Sequence, residues 1–231
     1  GGRGACAISL PCLELQVLST ALKQAITSPH SYSDVLFTSR NGVLSLATFC
    51  KESDLNLKKL LADKRITAVG EQTAAALTQA GVDVDLIPQD ASQHGLIEAY
   101  ISSGLPGSLL FFRAEEGSDA LTNAFEKQGI AVRTIAAYRT VCPTEDASKV
   151  VDMLEHGKID AVLLGSTKTA RHYLQRIGSI ELARRPIIAV ISAQMADAVS
   201  QLGLNVQVVA KTASFDAMLD ALAEYFDTNP S

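Results

Sequence analysis

Cysteine is scarce: the 231 residues hold four, Cys6, Cys12, Cys50 and Cys142, scattered and with no CxxC pair among them. That spacing fits thiols acting as small hydrophobes in a reducing cytoplasm better than a disulfide frame or a zinc site. No apolar run approaches the roughly 18 residues a membrane helix needs. The opening GGRGACAISLP has no basic stretch followed by a long apolar one, so no secretory signal is expected. Basic residues are not in excess. At a net charge of −5 the overall field does not attract nucleic acid or anionic membranes, and any bound anion must be held locally. GxSxG, HExxH, Walker A and GxGxxG are all absent. The four histidines, His30, His94, His156 and His172, lie far apart and read as surface or loop residues, so no metal site is expected.

What is present is a core and a repeat. Hydrophobic residues make up 47% and charged residues 19%, enough apolar material for a globular interior. Ile66–Val84 (ITAVGEQTAAALTQAGVDV) resembles Ile188–Val206 (IAVISAQMADAVSQLGLNV), with Gly81 and Gly203 at matching points, 122 residues apart. The same offset pairs Ser92 with Ser214, and VLFTSRNGV around Ser39 matches VLLGSTKTA around Ser166. A period this long is not a solenoid. It indicates two domains of similar build with a ligand cleft between them.

Short Val-, Ile- and Leu-rich runs alternate with helical spacing, which predicts parallel sheets covered by helices on both faces. Strands are expected at Ala7–Pro11, Val35–Ser39, Ile66–Val69, Val84–Ile87, Ser108–Phe112, Ala131–Ala137, Ala161–Leu164, Ile187–Ile191 and Val206–Val209. Helices are expected between them; Gly81 and Gly129 end two of them, and Ser53 is placed to cap LKKLL. SPHS breaks the first helix. After Pro143 too few strands remain for a second full sheet, so the strand at Ala7–Leu10 is expected to join it. The reading is therefore a discontinuous domain, 1–17 plus 143–231, and an inserted domain, 18–140, with linkers near 13–18 and 138–142.

In open parallel sheets ligands sit where strands end and helices begin. TSRNG, GEQTA, RAEEGS, GSTKT, SAQMA and AKTAS occupy those places, and helix N-termini there offer unpaired N–H groups to carboxylates or phosphates. Taken singly, each Ser or Thr is an ordinary N-cap. Six such turns in two similar domains point to a shared anion site. Arg40, Arg113, Lys168 and Arg171 fall at strand ends or first helical turns, as solvated charges or as carboxylate clamps. Glu115–Glu116 reads as solvated charge. Composition alone puts Tyr138 in a core.

Together VLFTSRNGV, AVGEQTAAALTQAG, LLFFRAEEGSDALTNAFEKQGIAVRTIAAYRTV, AVLLGSTKTARHYL and IAVISAQMADAVSQLGLNVQVVAKTASFDAMLDAL resemble the uroporphyrinogen-III synthase family, from Ala7 to Leu222. The resemblance implies two flavodoxin-like α/β domains joined by a two-stranded linker. It implies cyclisation of hydroxymethylbilane, with loss of water and inversion of the last pyrrole ring, by a cytoplasmic monomer. No cofactor is implied, and hydroxymethylbilane synthase is a transient partner. Carried over by motif, Tyr138 would assist hydroxyl departure as general acid. Thr38, Ser39, Arg40, Gly70, Thr73, Arg113, Gly165, Ser166, Thr167 and Lys168 would bind substrate. Two departures stand out: Ser192 and Met195 replace a glycine and a threonine of the family's second turn, and the family's usual first strand and helix are missing before Ala5. The rival readings are a non-catalytic two-domain binder of small anions and a flavodoxin- or receiver-like regulator; the latter lacks an acidic cluster after an early strand and a phosphate loop.

Overall fold

The structure is a computed structural model that describes residues 5–27 and 32–229. His30, the break at SPHS and the segment before Ala5 lie outside those residues. The chain divides into two compact units, one built of residues 15–140 and the other of residues 1–14 and 141–231.

The larger unit begins with β1 (Glu14–Val17), α1 (Ser19–Ile26), β2 (Asp34–Phe37), α2 (Arg40–Glu52), α3 (Leu57–Leu61), β3 (Arg65–Ala68) and α4 (Glu71–Gln79). It continues through α5 (Gln93–Ser103), β4 (Ser108–Ala114), α6 (Ala120–Glu126) and β5 (Ala131–Val141). Its five strands take the order β1-β5-β4-β2-β3, with β3, β2, β4 and β5 mutually parallel. The side-chain period of 2 decides the packing. Val35, Phe37, Leu110 and Phe112 enter one core with α2 and α4, while Leu36, Leu109 and Phe111 enter the other with Leu96, Tyr100 and Phe125. Phe37 and Phe112 stack with centroids 5.2 Å apart. Both faces are covered, which is why β2 reads apolar after Asp34 and is buried throughout.

The smaller unit holds α7 (Ser148–Glu155), β6 (Ala161–Leu164), α8 (Thr167–Ile177), α9 (Ile180–Ala183), β7 (Ile187–Val190), α10 (Ala193–Ser200), β8 (Val206–Val209) and α11 (Phe215–Thr228). Its sheet is three parallel strands, β6-β7-β8. Leu164, Ile188 and Val190 face one core; Leu163, Ala189 and Val208 face the other.

Four local expectations are corrected. Ala7–Leu10 forms no strand and adds nothing to the three-stranded sheet. Leu10 and Cys12 pack on that unit's core instead, and Pro11 between them has no N–H for a ladder. Val84–Ile87 is reduced to a single bridge between Thr67 and Leu86. The cap of α3 is Asn56, whose Oδ1 accepts from Lys59 N at 2.9 Å, not Ser53. The strand expected at Ala131–Ala137 runs on to Val141, 11 residues in all.

Candidate functional site

Because β2 to β5 run parallel, their carboxyl ends share one edge of the larger sheet. β2 ends at Phe37, Thr38 is half-buried, and Ser39 in extended backbone caps α2. Ser39 Oγ accepts from Gly42 N at 3.1 Å. The same oxygen lies 3.0 Å from Tyr138 Oη. Tyr138 reaches it from β5, where it pairs with Ala114 of β4 and its carbonyl accepts from Glu115 N at 2.8 Å. The phenol is 8% exposed. Arg40 is exposed on the first turn of α2.

β3 leads to the second turn. Gly70 caps α4 with φ 88° and ψ 156°, a conformation closed to side chains, although open space surrounds the place a Cβ would take. Thr73 is buried, and its hydroxyl donates to Val69 O at 3.1 Å. β4 leads to the third. Arg113 Nη2 donates to Asp119, while Nη1 is buried and meets no acceptor among the described residues. A Cβ at Gly117 would come within 3.0 Å of Arg113 Cδ, so the missing side chain there lets the loop close over the guanidinium.

The smaller unit repeats the device. Ser166 Oγ accepts from Thr169 N at 3.0 Å and is hydrogen-bonded to Thr169 Oγ1 at 2.8 Å. Ser192 and Ser214 cap α10 and α11 through Met195 N and Ala217 N. Gly165, Thr167 and Lys168 are half-buried around the first of these caps. A Cβ at Gly165 would meet Phe215 Cζ at 2.9 Å, the tip of a side chain that can swing aside. Phe215 is itself 57% exposed. Met195 is buried in the core, as is Thr73 at the corresponding point of the other unit.

Thus Ser39 and Tyr138 are brought into contact, Gly70 and Arg113 follow β3 and end β4 on either side of β2 in the same sheet, and Gly165–Lys168 belong to the smaller unit. Asp119 and Gly117, which fix Arg113, escaped sequence reasoning; an acid six residues after an arginine across a glycine was the available signal. Glu115 and Glu116 are exposed, Glu115 beside Arg139 and Glu116 accepting from Thr140 N at 3.2 Å. His94 and His156 are exposed; hydrogen bonding to the Asp152 carbonyl raises the pKa of His156. No group of three or more His, Cys, Asp or Glu side chains among the described residues is placed to hold a metal ion. Among the same residues, no helix is long and apolar enough to cross a membrane.

Residues 1–220 match the family described as HEM4, uroporphyrinogen-III synthase HemD. A putative uroporphyrinogen-III synthase of Methanothermobacter thermautotrophicus is 29% identical over 199 residues, covering 82% of this chain and 78% of that protein. The uroporphyrinogen-III synthase of Chlorobaculum parvum is 26% identical over 195 residues, covering 84% and 79%. The solved uroporphyrinogen-III synthetase of Helicobacter pylori shares the fold with a TM-score of 0.66 at 20% identity, covering 96% of this chain and 95% of that one.

Proposed function

The chain belongs to the uroporphyrinogen-III synthase family, and from that membership we propose that it is a cyclising hydro-lyase acting on hydroxymethylbilane, with Tyr138 as proton donor. The substrate is a linear tetrapyrrole bearing acetate and propionate groups. Its terminal hydroxyl leaves as water, giving an azafulvene. The last ring is attacked at its substituted carbon; the spiro intermediate fragments and closes with that ring inverted. Because the uncatalysed chain also closes, without inversion, the protein's task is orientation and preferential binding of one transition state.

The observation that carries the reading is the Tyr138 phenol held 3.0 Å from Ser39 at the carboxyl edge of the larger sheet. In the step we assign to it, the Tyr138 proton passes to the hydroxyl oxygen, the C–O bond breaks with its electron pair on oxygen, and water departs. The pyrrole nitrogen supplies the electrons for the new double bond. Its N–H proton then returns to the phenolate, so that Tyr138 ends neutral. Arg113, with a buried N–H group lacking an acceptor among the described residues, and Arg40 are suited to substrate carboxylates. Thr38 and Gly70 line the same edge; Thr73 holds the Gly70 turn by its bond to Val69. We give Gly165, Ser166, Thr167 and Lys168 the corresponding role in the smaller unit. Four free thiols support a cytoplasmic setting, and a monomer receiving substrate from hydroxymethylbilane synthase completes the proposal.

The test couples hydroxymethylbilane formation to this protein, oxidises the products and separates the isomers. Type III porphyrin is expected. Only type I product at high protein concentration rejects the synthase reading and leaves an anion-binding protein. Tyr138→Phe is expected to lower kcat by about 10²- to 10⁴-fold, the usual worth of a positioned acid; an unchanged kcat removes Tyr138 from the chemistry.

A further inference from the structure

We infer that Ser39 is a positioning residue for the Tyr138 phenol, not a group that binds substrate; this rests on the reading of Tyr138 as proton donor. Ser39 Oγ has two partners among the described residues, Gly42 N at 3.1 Å and Tyr138 Oη at 3.0 Å. The amide can only donate, so it occupies a lone pair of the serine oxygen and leaves the serine proton to be placed. Ser39 is the phenol's sole hydrogen-bond partner among the described residues. If Tyr138 donated to Ser39, both bonds would be made, the phenol proton would be spent inside the protein and the serine proton would be left over. If Ser39 donates, the same two bonds are made and the phenol proton is the one left for a ligand, as a proton-donating Tyr138 requires.

The second arrangement forms a chain: Gly42 N–H to Ser39 Oγ, and Ser39 O–H to Tyr138 Oη. Each bond polarises the next. The chain starts at the N-terminus of α2, a helix of 13 residues whose positive end faces it. As the phenol gives up its proton, charge develops on an oxygen that already receives a hydrogen bond from this chain. Ser39 therefore acts on kcat, through Tyr138.

Four variants test this in the coupled isomer assay, beside thermal melts. Ser39→Ala removes the bond to Tyr138 and the helix cap. kcat is expected to fall roughly 10- to 100-fold, the worth of one hydrogen bond to a charged group, with KM little changed. Ser39→Asp keeps a helix-capping oxygen but cannot donate to the phenol. It is expected to retain the melting temperature and lose kcat at least as far as the alanine variant. Ser39→Thr keeps both bonds and restores most of kcat. In the double variant with Tyr138→Phe, the Ser39→Ala loss is expected to vanish, because residues acting as a unit are not additive. If Ser39→Ala leaves kcat intact, if Ser39→Asp retains it, or if the two losses multiply, the positioning role is overturned while the synthase reading stands. Absence of type III product from the unaltered protein overturns both.

Discussion

Among the described residues, Arg113 is the charged side chain left with a buried N–H group short of an acceptor. Its Nη2 has Asp119, yet Nη1 has no acceptor among the described residues, and a buried donor without a partner costs about 1–3 kcal/mol. Asp119 is largely exposed, so its ion pair offsets little of this. A cost retained at the edge of the proposed site is what a group kept for binding would show. Arg113→Met is therefore expected to raise KM by at least about tenfold while leaving the melting temperature unchanged or higher. An unaltered KM with a lowered melting temperature would make Arg113 structural. Tyr100 is the contrasting tyrosine. It is 0% exposed, donates to Thr67 Oγ1 at 2.7 Å and lies under the Arg65 guanidinium, which pairs with buried Asp34. Burial pushes its pKa from 10.0 up to about 12. The folded pKa is the raised one, so the stabilisation is whole below pH 10 and is lost as pH rises through about 12. Alkaline melts should show this loss together with phenolate absorbance, and Tyr100→Phe should remove that loss. The same variant strands the Thr67 hydroxyl and is expected to cost about 1–3 kcal/mol at neutral pH.

At the scale of elements, the two units place a polar turn after a strand by the same means and differ in what lies beneath. Thr73 and Met195 both point into a core; the threonine satisfies its hydroxyl on Val69 O, and the methionine fills space among apolar neighbours. The exchange of threonine for methionine thus alters packing under the turn, and the Ser192 cap remains on α10. Met195→Thr is expected to lower stability by about 1–3 kcal/mol, by lost burial, without raising the rate. Denaturant melts and the isomer assay check it; a faster enzyme would show that this position reaches substrate. β6 and β8 were legible in the sequence to the residue, because each is a short β-rich run bounded by turn residues. The strand expected at Ala7–Leu10 was not. A short apolar run carries no information about whether a sheet edge is offered to it, and Pro11 cannot donate to one.

For the molecule as a whole, a net charge of −5 opposes a polyacidic substrate. The opposition is weak: at about 20 Å in water each unit charge contributes about 0.2 kcal/mol before screening. A carboxylate about 4 Å from a guanidinium near the surface gains about 4 kcal/mol at an effective dielectric constant of about 20. Local contacts win, so KM for hydroxymethylbilane is expected to rise with added salt. A KM that falls with salt would mean that overall repulsion governs binding.

The sequence by itself determined the alternation of strands and helices, the parallel sheets and the serine-capped turns at strand ends. These depend on burial period and on hydrogen bonds between residues a few positions apart, which are local properties of the chain. Only the tertiary structure decided that Ser39 meets Tyr138 across 99 residues, or that Arg113 is tied to Asp119 and left short of an acceptor. The Ser39–Tyr138 contact depends on the register of β4 on β2 and of β5 on β4, the latter shifted by one irregularity between Arg113 and Ala114. No periodicity encodes such a shift. It is set by how two covered faces of one sheet pack at once.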